Sequence, residues 1–327
     1  MQLPRITLLA ILLVTQASSL SLKTLKTPVR RLEPPFPDGP CGGKLVSLAP
    51  DDTYGIDANL SGNHLILPPR QIDVWLPPDY DPTSSRKHPV LLSHDGQNAM
   101  SDASSWTGAS WRMIGALTRL ADRQLLSTAT PIVVMLPSAD GDFIPGLRRR
   151  HLEYGASGPF ADAHADFVVK TIKPLVDNRF STSGDWHAIG SSLGGQASLQ
   201  LLLRHPDAFR GAACMSPYFE PATLASVVAN TAALKSKKLY IDIGGDMGDD
   251  KVPLFDLLDH LTPEHWWNPG YFWLDSPLQP GVEAMQAALS LAGIDFMYHK
   301  EPGGRHNERA WANRIDLPLL YLYGKKP

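Results

Sequence analysis

The chain has 327 residues, of which 43% are hydrophobic and 19% charged, and its formal net charge is −3. The 30 basic and 33 acidic residues are spread along the sequence, and Arg148–Arg150 is the single basic cluster. Nucleic-acid binding needs a basic face, so we predict no nucleic-acid partner. After the first residues no stretch is apolar over the length of a bilayer, so we predict no membrane insertion of the mature chain. Nothing in the sequence indicates an oligomeric state.

The N-terminal residues have the pattern of a secretory signal peptide. Met1–Arg5 carries one positive charge, Ile6–Val14 is almost entirely apolar, and Gln16–Ser19 supplies small residues suited to signal-peptidase cleavage. We predict a signal peptide over residues 1–19 and a secreted or periplasmic protein. The alternative is an organelle-targeting peptide, because no acidic residue precedes Glu33 while basic and hydroxyl residues are frequent.

Residues 20–62 are predicted to be a lead-in to the main domain, and their proline content over 28–40 is typical of a linker. Cys41 lies in this lead-in, whereas Cys214 lies in an apolar run that indicates a buried strand. Two cysteines are few for an exported protein. We predict that both are unpaired and that neither is a nucleophile, since a buried cysteine acts as a small hydrophobic residue.

Strand-like and helix-like segments alternate over residues 63–327, which we predict to form one α/β domain. Short β-branched or leucine-rich runs predict strands at Gln71–Leu76, Val90–Ser93, Ile132–Leu136, Trp186–Ile189, Ala212–Met215, Leu239–Ile243 and Phe296–Tyr298. Apolar residues at helical spacing predict helices at Trp111–Leu126, Ala163–Val176, Leu193–Arg204 and Arg309–Arg314. The alternation predicts a mostly parallel central sheet with helices on both faces, whose carboxyl strand ends gather the reactive groups.

The segment Gly190–Gly195 contains the pattern G-x-S-x-G. It follows the predicted strand that ends at Ile189 and opens the predicted helix that begins at Leu193, the context of a nucleophile elbow in the α/β-hydrolase fold. The flanking glycines keep the serine oxygen clear, and the positive end of the helix favours developing negative charge. We therefore predict Ser192 as the nucleophile. Ser191 is the rival hydroxyl, but it lacks a glycine two positions away on each side.

In this fold the triad follows the order serine, acid, histidine. His306 lies in the Gly-rich loop Glu301–Glu308, between the last predicted strand and a helix-like segment, so we predict it as the general base. His299 lies inside that strand and is expected to be structural. The acid, which orients the imidazole, is expected after the strand that ends at Ile243. There Asp246, Asp249 and Asp250 are candidates, and the spacing alone does not separate Asp246 from Asp249.

Two backbone N–H groups are expected to form an oxyanion hole. One belongs to Leu193, directly after the nucleophile, and the other to Gln97 in the loop after an early strand, where Gly96 lets the chain turn closely. His94 and Asp95 lie in the same loop. Their place before the serine fits the order of the triad poorly, so we do not assign them to it.

The chain resembles the putative esterase family of α/β-hydrolases, which includes esterase D, feruloyl and acetyl-xylan esterases, enterochelin esterase-like enzymes and the mycolyltransferases. The resemblance runs from about residue 70 to the C-terminus, and its motifs are Arg70–Tyr80, His94–Asn98, Ile172–Asp177, Gly190–Gly195 and His306–Trp311. It implies Ser192 as nucleophile, His306 as base and Gln97 as an oxyanion donor. In similar proteins the acid lies a few residues past the glycine that ends the strand, which favours Asp249 and keeps Asp246 in reserve.

An aromatic segment, His265–Trp273, is longer than the matching stretch of many relatives. Loops over such sites set specificity, so we name Trp266, Trp267 and Trp273, together with Asp95, as substrate-binding candidates. The alternative is that these aromatic residues only pack a long loop onto the domain. The segment Arg148–Tyr154 is a further candidate for the border of the site.

The sequence thus predicts a serine carboxylic-ester hydrolase that acts through an acyl-enzyme on a small-molecule or carbohydrate ester. An acylated carbohydrate, a hydroxycinnamoyl ester and a siderophore-type ester are the substrate classes that the resemblance implies, and no metal or organic cofactor is expected. One alternative is an acyltransferase with the same triad. The other is a non-catalytic secreted binding protein on a hydrolase scaffold, which the survival of serine, acid and histidine candidates disfavours.

Overall fold

The structure, a computed structural model, describes residues 31–48, 67, 70–139, 141–245, 275–302 and 304–325. The predicted signal peptide, the acid candidates Asp246, Asp249 and Asp250, and Trp266, Trp267 and Trp273 lie outside the described residues. None of the helices in the described ranges combines the length and the apolar character that a membrane span needs.

The core of the fold is an eight-stranded sheet with the order β1-β2-β4-β3-β7-β8-β9-β10. Its strands are β1 (Lys44–Leu48), β2 (Ile72–Leu76), β3 (His88–His94), β4 (Ile132–Leu136), β7 (Thr182–Ser191), β8 (Gly211–Met215), β9 (Lys238–Gly245) and β10 (Met297–Pro302). The six strands from β4 to β10 in this order pair in parallel, whereas β2 is antiparallel to both of its neighbours. The predicted strands and the mostly parallel sheet are confirmed.

Helices connect these strands and cover both faces of the sheet. They are α1 (Met113–Asp122), α2 (Arg149–Tyr154), α3 (Ala161–Phe167), α4 (Lys173–Arg179), α5 (Leu193–Arg204), α6 (Pro221–Ala229), α7 (Thr231–Leu234), α8 (Asp275–Leu291), α9 (Glu308–Ala312) and α10 (Asp316–Tyr323). The helix predicted over 163–176 is divided, because a π-helical segment, Val168–Ile172, joins α3 to α4. A small hairpin, β5 (Asp142–Ile144) with β6 (Leu147–Arg148), was not predicted.

The side chains of each strand alternate between two hydrophobic layers, as the period of a β-strand requires. On one face Leu92, Val134 and Ala188 pack with residues from the helices α3 to α6 and α8. On the other face Leu91 and Val133 pack with residues from α1, α9 and α10. Burial of both faces explains why these strands read as continuous apolar runs.

Part of the predicted lead-in belongs to the folded unit. Leu32 and Phe36 are buried in the second layer, and β1 pairs along its whole length with β2. The Trp75 indole N–H donates to the Pro40 carbonyl at 2.9 Å. A proline-rich composition suggests a linker, but it does not reveal two buried anchors that precede a short edge strand. Both Cys41 and Cys214 are free thiols, as predicted.

Candidate active site

Ser192 is the single residue between β7 and α5. Its backbone has φ 54° and ψ −125°. L-residues rarely adopt this strained conformation, and such strain is found most often at functional sites. A Cβ on Gly190 would collide with the backbone of Gly194, so the turn requires glycine there. The rival Ser191 lies in β7, paired with Met215 and buried. Ser192 is therefore the hydroxyl that the turn presents at the carboxyl edge of the sheet.

Two hydrogen bonds hold the backbone of Ser192 against the last residue of β8 and the chain that follows it. Its N–H donates to the Met215 carbonyl at 2.8 Å, and its own carbonyl accepts from the Tyr218 N–H at 3.1 Å. Leu193 is the first residue of α5, where an N–H has no partner within the helix. The predicted oxyanion donor Leu193 thus lies at the positive end of a 12-residue helix.

The second predicted oxyanion donor, Gln97, lies in a 3₁₀ turn, Gly96–Asn98, directly after β3. A Cβ on Gly96 would overlap the backbone of Met135, so glycine lets this turn approach β4. The Gln97 side chain is tied to Ser138 twice: its Nε2 donates to Oγ at 3.0 Å, and its Oε1 accepts from the backbone N–H at 3.2 Å. These bonds tie the loop to the chain that follows β4.

The oxyanion loop touches the nucleophile helix directly. A Cβ on Gly194 would lie 2.6 Å from Asp95 Oδ2, so α5 and the loop are in van der Waals contact at a glycine. The two predicted oxyanion donors therefore come from two elements that pack against each other.

His306 follows β10 and is buried. Its ring packs edge-to-face on Trp311 of α9, with 5.0 Å between centroids. The Trp311 indole donates to Ser216 Oγ at 3.2 Å, and Ser216 follows Met215, the residue that binds the Ser192 N–H. This short contact path brings the predicted base to the same edge of the sheet as the predicted nucleophile. His299 lies within β10, in contact with Glu301, as predicted.

The loop that carries His306 also crosses the end of β9. The strands β9 and β10 pair in parallel up to Gly245 and Pro302, and a Cβ on Gly244 would collide with the carbonyl of Gly304. Asp246 follows Gly245 directly in the chain and Asp249 comes three residues later, and both lie outside the described residues. Their identity as the acid stays a prediction.

Comparison with known proteins decides the family. The sequence profile of the family described as "Putative esterase" matches residues 68–316. The chain belongs to this esterase family. A sequence comparison with curated proteins finds no match.

Among solved structures, the esterase is similar to an IroE-like serine hydrolase from Shewanella oneidensis, at 18% identity and a TM-score of 0.57, over 84% of this chain and 79% of that one. It is also similar to a ferulic acid esterase from the anaerobic fungus Anaeromyces mucronatus, at 14% identity and a TM-score of 0.50, over 89% and 93% of the two chains. A siderophore hydrolase from Aspergillus nidulans is similar at 17% identity and a TM-score of 0.50, over 93% of this chain and 99% of that one. These likenesses establish the α/β-hydrolase fold that the sequence predicted.

One titratable group of the site was not predicted. Glu308 opens α9, two residues after His306, and its side chain accepts a hydrogen bond from the Trp106 indole at 3.2 Å. Burial raises the pKa of Glu308 to about 7, and the nearby Asp95 carboxylate adds to the increase. The site of the esterase thus holds a carboxyl group that is half protonated near neutral pH. In the sequence, the only indication of a role for Glu308 was its position two residues after His306.

Asp95 binds an arginine of the segment predicted to border the site. Arg150 Nε and Nη2 donate to the two Asp95 carboxylate oxygens at 2.8 and 2.7 Å, and the guanidinium lies over the Tyr154 ring at 5.3 Å. The Asp95 side chain is only 4% exposed. Its carboxylate therefore anchors α2 to the oxyanion loop, and Arg150, rather than Asp95, presents polar surface to solvent.

Proposed function

We propose that the esterase is a serine carboxylic-ester hydrolase that works through an acyl-enzyme, with Ser192 as nucleophile and His306 as base. The observation that carries the proposal is the backbone conformation and position of Ser192. Ser192 is a strained, non-glycine residue between a parallel strand and a helix N-terminus, with the Gln97 loop packed against the same helix. Such strain recurs at functional sites, and this elbow presents the nucleophile of α/β-hydrolases.

In the proposed reaction Ser192 Oγ attacks the ester carbonyl carbon while His306 takes the serine proton. The N–H groups of Leu193 and Gln97 donate to the oxyanion of the tetrahedral intermediate. Collapse breaks the bond to the alcohol oxygen, which leaves with the proton from His306. Water then attacks the acyl-enzyme by the same route in reverse. Asp249, with Asp246 in reserve, orients the imidazole and stabilises its charged form.

For the substrate we propose a hydroxycinnamoyl ester, an acylated carbohydrate or a siderophore-type ester. The similar structures named above are described as a ferulic acid esterase and a siderophore hydrolase, and both names denote esters of these classes. We also propose that residues 1–19 direct export, which N-terminal sequencing of the protein recovered outside the cytoplasm tests.

The decisive experiment measures hydrolysis of acetyl, short-chain, feruloyl and siderophore-type esters by the wild type and by Ser192→Ala. Ser191→Ala is the matched control, because its hydroxyl is the sequence neighbour but lies in β7. We expect Ser192→Ala alone to abolish turnover and labelling by a fluorophosphonate. Equal turnover by the wild type and Ser192→Ala would refute the proposal. Added alcohol that diverts the acyl group from water would identify the enzyme as an acyltransferase.

A further inference from the structure

A line of five buried polar side chains lies behind the oxyanion loop and takes no part in the proposed reaction. Its members, from the nucleophile helix outward, are Ser198, His94, His164, Glu153 and Arg70, and we call this line the relay. The successive contacts measure 2.9 Å between Ser198 Oγ and His94 Nδ1, 3.2 Å between the two Nε2 atoms of the histidines, 3.5 Å between His164 Nδ1 and Glu153 Oε2, and 2.7 Å between Glu153 Oε1 and Arg70 Nη2. Buried polar groups are costly unless each finds a partner of the right kind.

The direction of the first two contacts follows from the available protons. Ser198 Oγ donates to the Gly194 carbonyl at 2.9 Å. A hydroxyl has one proton, so Ser198 must accept from His94 Nδ1. Burial lowers the pKa of His94 well below its ordinary value, and the charges of His164 and Arg150 lower it further. His94 is therefore neutral, its Nε2 is an acceptor, and His164 Nε2 must donate to it.

The second nitrogen of His164 faces a carboxylate. Burial by itself raises the pKa of Glu153, but hydrogen bonds and charges from His164 and Arg70 outweigh burial and lower it. Glu153 is thus ionised, and an ionised carboxylate only accepts hydrogen bonds. The 3.5 Å contact between His164 Nδ1 and Glu153, and the ion pair between Glu153 and Arg70, complete the relay.

We infer that the relay, with His164 at its centre, positions the oxyanion loop. The charged groups around His164 are Glu153 and Arg70 at one end, and the Asp95–Arg150 ion pair at the other. The Tyr154 ring packs on both histidines, at 5.1 Å each, and its hydroxyl accepts from the Asp95 N–H at 3.3 Å.

The positioning role follows from the elements that the relay joins. His94 is the last residue of β3, directly before the loop of Gln97, whereas Ser198 lies on α5, the helix whose first N–H belongs to Leu193. The bond from His94 to Ser198 therefore ties together the two elements that supply the two proposed oxyanion donors. The inference rests on the proposed function. Residues that hold the oxyanion donors in place matter for catalysis, because displacing a catalytic group by about 1 Å can lower the rate about 10²-fold.

The protonation state is tested by ¹⁵N NMR of the full chain with ring-labelled histidines at pH 7. Loss of one signal set in His164→Gln and of another in His94→Gln assigns the rings. We expect protonated Nδ1 with bare Nε2 on His94, and a protonated Nε2 on His164. A bare Nε2 on His164, or the opposite tautomer of His94, overturns the assignment. This measurement needs no catalytic activity, so it stands apart from the proposed function.

Positioning is tested by kinetics, expressed per site titrated with a fluorophosphonate so that misfolded protein does not count. We expect His164→Gln to lower kcat about 10²-fold while KM changes little, since oxyanion donors act in the transition state. Ser198→Ala, a milder change within α5, should lower kcat in the same direction if His164→Gln does not fold. His205→Gln is the matched control, because His205 Nε2 contacts Asp166 Oδ1 at 3.1 Å, at the opposite end of α5 from Ser192. An unchanged kcat in both relay variants overturns the positioning role. If no turnover depends on Ser192, the proposed function is refuted instead.

Discussion

Glu308→Gln should make the esterase more stable in alkaline solution. Burial raises the pKa of Glu308 in the folded protein from 4.5 to about 7, so the folded state holds this proton more tightly than the unfolded chain. Below about pH 4.5 both states are protonated and the group costs nothing. As pH rises towards 7 the unfolded chain ionises first, which favours unfolding. At about 1.4 kcal/mol for each pKa unit, the difference between 4.5 and about 7 amounts to roughly 3 kcal/mol by pH 8.

Glutamine has the shape of the protonated acid, and its carbonyl can still accept from the Trp106 indole, so the substitution removes only the ionisation. Urea unfolding at pH 5 and pH 8 measures the effect. We expect the variant to be more stable by no more than about 1 kcal/mol at pH 5 and by up to about 3 kcal/mol at pH 8. Equal midpoints at pH 8 would refute the reasoning.

Glu301→Gln is the matched control, with the opposite sign. Although burial raises the pKa of Glu301, His299 and Arg31 lower it overall. The ionised form of Glu301 is therefore the stabilising one, and its stabilisation is present above the ordinary pKa of 4.5 and lost as pH falls through the lowered value. Glu301→Gln should destabilise the protein at both pH values, and more stable protein at pH 8 would show that the Glu308 result has another origin.

Three further substitutions probe the site and its support. Gly96→Ala should abolish most ester hydrolysis, because the added Cβ would overlap the backbone of Met135; activity near that of the wild type would contradict the geometry of the oxyanion loop. Arg314→Met should lower the free energy of unfolding by about 3–5 kcal/mol, measured in urea, because Arg314 and Asp242 form a fully buried ion pair with Nε and Oδ1 3.2 Å apart. Arg150→Lys should reduce kcat/KM about 10-fold, since lysine does not bind both oxygens of Asp95; a circular dichroism spectrum like that of the wild type serves as the control, and an unchanged kcat/KM would show that this anchor is dispensable.

The elements of the sheet were predictable because their signals are local. A strand buried on both faces, such as Ile132–Leu136, must be apolar throughout, and the structure gives the same bounds. The helix Leu193–Arg204 also has the predicted bounds. In contrast, β1 is a short edge strand whose position depends on its pairing with β2 and on the burial of Leu32 and Phe36. No local sequence pattern predicts such long-range contacts.

The sequence by itself determined the family, the fold and the turn at Ser192, because glycine placement, strand periodicity and the order of the loops are properties of neighbouring residues. Only the tertiary structure revealed the relay and the environment of Glu308. Trp106 and Glu308 are 202 positions apart, and His94 and His164 are 70 apart. The charge state of a buried group depends on the partners and on the solvent that folding removes, and neither is written in the residues beside it.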